Sequence, residues 1–221
     1  MPETLADGVW RIDCGSVNAY LVDDPQSLTL VDAGMAWDAG TVRSAIHDAG
    51  FAVSDLERVL VTHYDADHVG GLSRLPIDVP VHVGERDADL VAGRRVPPVS
   101  NLKGFTQRVS RLLHYSIDAP VEAVADGEEV GSFTAIHTPG HTRGHTAFAS
   151  EALDVAFVGD LVTSDGDAFS PTPWYLNWDD DQIRPSIERL VERLPDVSVL
   201  APGHGDPITE GAVDALSRLA D

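Results

Sequence analysis

Short apolar runs separated by turn-forming residues organise the first third of the chain. Apolar or alternating stretches cover residues 9–12, 17–22 and 28–31, and Gly, Ser, Asp and Pro occupy the segments between them. Runs of this length with such boundaries are typical of β-strands. Residues 41–49 instead place apolar side chains at helical spacing and precede Gly50, so they predict a helix that ends there.

The same alternation of strand-like and helical patterns continues to the C-terminus. We predict further strands at residues 58–62, 79–83, 121–124, 133–136, 146–149, 155–158 and 197–200. We predict further helices at residues 182–194 and 212–219. No repeat of 20 to 50 residues interrupts this order, so residues 1–221 are expected to form a single domain.

Residues 84–118 differ from the rest of the chain. They hold an unusual share of its basic residues and the break Val96-Pro97-Pro98. Five apolar residues then follow at helical spacing: Leu102, Phe105, Val109, Leu112 and Leu113. This pattern predicts a helical insertion that lies over one face of the domain.

The densest polar cluster comes directly after an apolar run. Residues 59–61 are Val-Leu-Val, and the next seven positions read Thr-His-Tyr-Asp-Ala-Asp-His. Four of these side chains can bind a metal: His63, Asp65, Asp67 and His68. Imidazole and carboxylate together are a ligand set for divalent transition metals. Further candidates follow later apolar runs: His141, Asp160 and His204. The repetition predicts a metal site at the ends of several strands.

Composition narrows the possible partners. The formal net charge is −21, and Lys103 is the only lysine among 15 basic residues. Such acidity disfavours nucleic acids and anionic membranes, and it is expected of a protein that works in concentrated salt. No apolar stretch is long enough to span a bilayer, the N-terminus lacks a secretory pattern, and Cys14 is the only cysteine. We therefore expect a cytoplasmic, halophilic protein; the alternative is an acidic protein from a GC-rich genome without adaptation to salt.

In order and spacing, the polar motifs resemble the metallo-β-lactamase superfamily. They are the cluster at residues 63–68, His-Thr-Pro-Gly-His-Thr at 137–142, Gly-Asp at 159–160 and Pro-Gly-His-Gly at 202–205. The resemblance runs from about residue 9 to the C-terminus, and the core is similar to that of glyoxalase II-type hydrolases. It implies an αββα sandwich of two mixed β-sheets flanked by helices, with metals at one edge.

The resemblance also implies a role for each motif residue. His63 and His141 would bind the first metal, whereas Asp67, His68 and His204 would bind the second. Asp160 would bridge the two ions, and Asp32 would support the ligands through hydrogen bonds. Asp67 would in addition orient the attacking water and relay its proton.

Asp65 departs from the common family pattern, which has a second histidine at this position. Either Asp65 points away and the first site is weak or empty, or it binds the first metal as a third carboxylate. A third carboxylate would make the site harder, so it would accept iron or manganese more readily, although zinc is the preferred expectation. The resemblance thus implies two divalent ions, with zinc first and iron or manganese as alternatives.

A hydrolase is the activity that the resemblance favours. A hydroxide between two metals would attack a small ester, thioester, lactone or amide. The alternatives are an iron-dependent oxidoreductase of the thiol or persulfide dioxygenase type, and a binding protein without catalysis. His145 and Tyr175 are candidates for substrate contact, with structural roles equally open. The 84–118 segment could form a lid or a subunit contact, which leaves a homo-oligomer open.

Overall fold

Two β-sheets face each other in the computed structural model, which describes residues 1–25, 27–110 and 117–220. The first sheet has seven strands in chain order. β1 to β4 pair antiparallel, and β4 to β7 pair parallel. The strands are β1 (Glu3–Ala6), β2 (Val9–Asp13), β3 (Asn18–Asp24), β4 (Ser27–Val31), β5 (Leu56–Val61), β6 (Val81–Gly84) and β7 (Val121–Val124).

The second sheet contains the remaining six strands. Its order is β12-β11-β10-β9-β8, and β13 pairs parallel with β11. The other pairs in this sheet are antiparallel, so both sheets are mixed. The strands are β8 (Glu129–Val130), β9 (Phe133–His137), β10 (Thr146–Ser150), β11 (Val155–Asp165), β12 (Phe169–Pro171) and β13 (Val199–Asp206).

Helices cover the outer face of each sheet. The first sheet packs against α1 (Ala39–Asp48), α2 (Ala66–Val69) and α3 (Glu85–Val91), and the second against α5 (Ile183–Arg193) and α6 (Ala212–Ala220). Between the sheets lies a third apolar layer that includes Tyr20, Leu60, Phe133, Phe148 and Phe157. Burial of these side chains drives the sheets together. The expected αββα sandwich of two mixed sheets is therefore confirmed. No helix in the described part of the chain is both long and apolar enough to cross a bilayer.

Helix α4 (Leu102–Ser110) is present, but its apolar side chains do not face the protein. Leu102, Phe105 and Val109 are 56%, 54% and 44% exposed, whereas Lys103 and Gln107 are each only 5% exposed. The polar face of α4 is buried because it covers the polar site described below, so the apolar spacing marks the exposed face of this helix. The rest of the predicted pattern, Leu112 and Leu113, lies outside the described residues.

Candidate metal centre

The seven predicted ligands converge at one edge of the sandwich. They come from the segment after β5, the loop between β9 and β10, and the strands β11 and β13. Asp160 lies at the middle of the group. Its Oδ1 atom is 3.3 Å from His68 Nε2, and its Oδ2 atom is 3.1 Å from His204 Nε2 and 3.5 Å from His141 Nε2. Segments that are far apart in sequence thus present their polar atoms to one small volume.

Three overlapping groups of side chains have the spacing that a metal ion requires. Within each group, one ligand atom from every residue lies within 4.8 Å of the others. Asp65 joins the first group, because its Oδ2 atom is 3.1 Å from His141 Nε2 and 3.4 Å from His63 Nε2. Its carboxylate therefore points into the centre, not away from it. The groups are His63 with Asp65 and His141, His63 with His68 and Asp160, and Asp67 with His68 and His204.

Hydrogen bonds fix the tautomer of the two histidines that follow β5. His68 Nδ1 lies 2.8 Å from the Asp32 carboxylate, which can only accept, so this nitrogen carries the proton. The Thr62 hydroxyl donates to Asp32 over 2.7 Å, so its oxygen is left to accept from His63 Nδ1 at 3.0 Å. Both rings consequently direct Nε2 at the centre.

Hydrogen bonds also fix the tautomers of the other two predicted ligand histidines, His141 and His204. The amide nitrogen of Asn177 donates to Thr172 and Asp180, so its Oδ1 atom accepts from His141 Nδ1 at 3.2 Å. His204 Nδ1 donates to the carbonyl oxygen of Ser16. All four imidazoles are thus oriented as metal-binding imidazoles usually are, with Nδ1 hydrogen-bonded outside the centre and Nε2 directed into it.

Asp32 orients two of these rings from a strained position. It follows strand β4, is buried, and has a backbone φ of 54°, in the left-handed region. Its Oδ1 atom accepts from the Thr62 backbone N–H over 2.9 Å, which ties β4 to β5 beneath the centre. The predicted supporting role of Asp32 agrees with this geometry, because Asp32 touches His68 directly and His63 through Thr62.

The electrostatics of the centre favour a bound cation. Among the described residues, His63 Nε2, His68 Nε2 and Asp160 Oδ1 are buried without any hydrogen-bond partner. Burial alone would lower the pKa of His68, but Asp160 and Asp32 raise it well above its ordinary value. Burial likewise opposes protonation of His204, but Asp160 and Asp67 raise its pKa to about 10. The carboxylates thus favour a positive charge at these two rings, and a divalent metal would supply that charge in place of a proton, so the residues fit such an ion.

His145 contacts the centre from behind and does not face a substrate. It is fully buried, its Nε2 atom accepts from the Asp160 backbone N–H over 3.0 Å, and its Nδ1 atom donates to Thr138 Oγ1 over 2.8 Å. Burial, and then the neighbouring His63, hold the pKa of His145 well below its ordinary value, so the ring stays neutral. Of the two roles considered for His145, the structure supports positioning of Asp160 and not substrate contact.

A cleft of about 430 Å³ opens above the predicted ligands. Met35, Trp37 and Leu176 supply apolar walls, and Asp67 is among the acidic groups at its base. Tyr175, the predicted substrate contact, is 48% exposed and stacks edge-on against Trp174, with ring centroids 5.8 Å apart. Leu176, and not Tyr175, lines the cleft, because the short helical turn at residues 174–176 directs the tyrosine outward.

Several residues of the centre were missed by the sequence analysis. Lys103 places its ammonium against Asp65 and His141, and Gln107 donates to the other Asp65 oxygen over 2.7 Å. Asp87 is buried and ties the two ligand segments together by accepting from the Tyr64 N–H and from Thr142 Oγ1. None of these residues belongs to a recognisable motif. The uniqueness of Lys103 as the only lysine was the one available signal.

Comparisons with known proteins agree with this geometry. A family model described as the metallo-beta-lactamase superfamily matches residues 12–204. An uncharacterized Bacillus subtilis protein, YobT, is 31% identical over 86% of this chain and 83% of its own length. The probable metallo-hydrolase YflN of the same organism is 28% identical over 92% and 86%, respectively. A hydroxyacylglutathione hydrolase of Hamiltonella defensa is 29% identical over 83% of this chain and 60% of its own length.

A solved structure gives the same picture of the fold. The metallo-beta-lactamase SMB-1, bound to 2-mercaptoethanesulfonate, superposes with a TM-score of 0.74 at 25% identity. The superposition covers 99% of this chain and 92% of that chain. The similarity therefore extends over nearly the whole chain.

Proposed function

The chain belongs to the metallo-beta-lactamase superfamily, and from this premise we propose that it is a metal-dependent hydrolase of small carbonyl substrates. One observation carries the proposal. Four imidazole Nε2 atoms and the carboxylates of Asp65, Asp67 and Asp160 converge at the base of an open cleft. A purely structural polar cluster would pair its buried polar atoms, whereas His63 Nε2, His68 Nε2 and Asp160 Oδ1 have no hydrogen-bond partner among the described residues.

The residues of the site have different roles in the proposed reaction. A divalent metal bound here would supply Lewis acidity and a water molecule of lowered pKa. Asp67 lies at the cleft side, with Oδ2 3.5 Å from His204 Nε2 and its side chain 31% exposed. From there Asp67 can accept a proton from an attacking water and pass it to the leaving group. Asp160, His63, His68 and His141 are buried behind it, whereas the His204 side chain is 28% exposed.

The cleft favours an acyl substrate with an apolar part. Met35, Trp37 and Leu176 offer apolar contact beside the polar base, which is the usual arrangement of a small-molecule site. The similarity to a hydroxyacylglutathione hydrolase adds support for a thioester. We therefore propose esters, thioesters, lactones or amides of modest size as substrates.

The proposal also includes the identity of the metal and the cellular environment of the protein. Imidazole-rich sites suit zinc, and the added carboxylate at Asp65 makes iron or manganese the next choices. A net charge of −21 with one lysine suits a protein that works in concentrated salt, and a single cysteine suits the reducing cytoplasm.

The experiment measures turnover on protein of known metal content. Wild-type protein loaded separately with zinc, manganese or iron is screened in high salt against an ester, a thioester, a lactone, an amide and a phosphodiester. We expect acyl turnover that a chelator removes and that zinc restores. Oxygen uptake by the iron form without acyl turnover would contradict the hydrolase and favour the oxidoreductase.

A pair of histidine variants locates the activity. His204→Ala should abolish turnover and lower metal content while leaving the circular dichroism spectrum unchanged. His47→Ala is the matched control, because its side chain lies on the outer helix α1 and is 88% exposed. Equal activity in His204→Ala and wild type would refute the assignment of the site.

A further inference from the structure

The only lysine of the chain reaches into the metal centre. Lys103 comes from α4, and only 6% of its side chain is exposed. Its Nζ atom donates to Asp65 Oδ2 and lies 2.6 Å from His141 Nε2. These two atoms are the ones that Asp65 and His141 direct at the first metal position. From this contact we propose that the Lys103 ammonium occupies the first metal position, and that the centre holds one divalent ion, bound by Asp67, His68, Asp160 and His204.

Neighbouring groups hold this arrangement in place from both sides. One turn further along α4, Gln107 donates to Asp65 Oδ1 over 2.7 Å and to the Tyr64 carbonyl oxygen over 2.8 Å. On the other side, Asn177 fixes the His141 ring so that its bare Nε2 atom accepts from the ammonium. Each oxygen of Asp65 therefore already accepts a hydrogen bond from a side chain of α4.

A metal ion and the ammonium compete for the same space. Zinc binds imidazole nitrogen and carboxylate oxygen at roughly 2.0–2.2 Å. An ion at those distances from His141 Nε2 and Asp65 Oδ2, which are 3.1 Å apart, would coincide with the volume that Nζ takes. Repulsion between a dication and an ammonium at contact distance adds to the steric conflict. Either Lys103 or a metal can occupy this position at one time.

The second position has no such competitor among the described residues. His204 Nε2 lies 3.1 Å from Asp160 Oδ2 and 3.5 Å from Asp67 Oδ2, and His68 Nε2 faces Asp160 Oδ1. The buried atoms without hydrogen-bond partners include His63 Nε2, His68 Nε2 and Asp160 Oδ1. His68 and Asp160 belong to this position, and His63 groups with both of them as well as with Asp65 and His141. One dication placed there would satisfy His68 Nε2 and Asp160 Oδ1.

Charge balance supports one ion and one ammonium. Asp65, Asp67 and Asp160 carry three negative charges at the centre, and a dication with the Lys103 ammonium supplies three positive charges. Asp65 stands where the family pattern has a histidine, and a carboxylate is the better partner for an ammonium. The replacement at position 65 and the lysine at position 103 therefore account for each other.

The inference rests on the metal binding of the proposed function, and metal stoichiometry tests it. Wild type, Lys103→Met and Arg108→Met are titrated with zinc, and the bound ions are counted by native mass spectrometry. Methionine keeps an unbranched side chain but removes the charge. Arg108→Met removes one positive charge from the exposed side of the same helix and is the matched control.

We expect one zinc ion per chain in wild type and in Arg108→Met, and two in Lys103→Met. Two ions in wild type would overturn the inference but leave the proposed function intact. One ion in Lys103→Met would also overturn it, because Lys103 would then not be what excludes the second ion. A wild type that binds none of zinc, manganese and iron would remove the proposed function itself, and the inference with it.

A second measurement needs no variant. Because the chain has one lysine, protein labelled with ¹³C-lysine gives a single set of side-chain NMR signals. We expect the Cε signal to stay away from the position of free lysine both before and after zinc saturation. Movement to the free-lysine position on adding zinc would show that the metal expels Lys103 and would overturn the inference.

Discussion

Replacing Asp32 with asparagine should weaken the metal centre more than it weakens the fold. Asparagine has nearly the same shape, and it tolerates the left-handed backbone at φ 54° better than most residues. The difference lies in hydrogen bonding. Asp32 accepts from the Thr62 N–H at 2.9 Å, the Thr62 hydroxyl at 2.7 Å and His68 Nδ1 at 2.8 Å. An amide offers one accepting oxygen in place of two.

Both orientations of the new amide cause a conflict. If its nitrogen takes the place of Oδ2, it faces two donors, and His68 must move its proton from Nδ1 to Nε2. Protonated Nε2 cannot bind a metal. If the nitrogen takes the place of Oδ1, it faces the Thr62 backbone N–H, which is then buried without a partner.

The expected losses follow from these contacts. Removing a partner that orients a metal-bound histidine lowers metal affinity about 10–100-fold, which is about 1.4–2.7 kcal/mol. An unsatisfied buried donor costs about 1–3 kcal/mol of folding stability. The metal-free variant should therefore remain folded, while its zinc affinity falls by one to two orders of magnitude.

Zinc affinity is measured by competition with a chromophoric chelator, and stability by urea unfolding of the metal-free protein. Asp24→Asn is the control, because Asp24 is also buried and accepts from Ser132 Oγ over 2.6 Å, outside the centre. Zinc binding by Asp32→Asn within a factor of two of wild type would refute the reasoning. Equal loss in both variants would show an effect of charge alone.

Three further predictions concern other parts of the molecule. Burial, and then Asp38 and Asp13, raise the pKa of Cys14 to about 12, so the thiol is protonated at pH 8. The rate of Cys14 alkylation should therefore rise without a plateau up to pH 10. A plateau near pH 9 would contradict this prediction. A Cβ atom at Gly203 would lie 2.1 Å from Asp160 Oδ1, so Gly203→Ala should lose zinc in the chelator assay, and unchanged affinity would show that Asp160 can move freely. Because the net charge is −21, the unfolding temperature should rise between 0.1 M and 2 M KCl, as the Debye length shrinks from about 10 Å to a few Å. An unfolding temperature that does not change with salt would contradict the proposal that the protein is halophilic.

The local pattern of apolar and polar residues was sufficient to predict most of the strands and helices. The strands at β2 to β7 and the helices α1, α5 and α6 lie where apolar runs and helical spacing predict them, within a few residues. The short strands β1, β8 and β12 were missed, because two to four residues carry too little periodicity to be recognised. Their existence depends on pairing with neighbours and not on their own sequence.

Two strands are longer than their apolar runs, for a reason connected with the site. β11 continues to Asp165 and β13 to Asp206, although apolar residues dominate only their first halves. The backbones keep pairing past this point, with Thr163 beside His204. Asp160 and His204 therefore sit inside strands that a hydrophobic pattern ends too early. Polar ligands interrupt the pattern while the hydrogen-bonded ladder continues.

Helix α4 shows most clearly where sequence pattern and structure disagree, and the disagreement follows from the centre. Its apolar residues are exposed and its polar residues are buried, which is unfavourable on both faces. A buried ammonium costs several kcal/mol unless a charged partner and hydrogen bonds offset the lost hydration. Asp65 and His141 provide that compensation only if no metal lies between them. The orientation of α4 is thus coupled to the occupancy of the first metal position, and a second ion would have to move Lys103 out of the position it now fills.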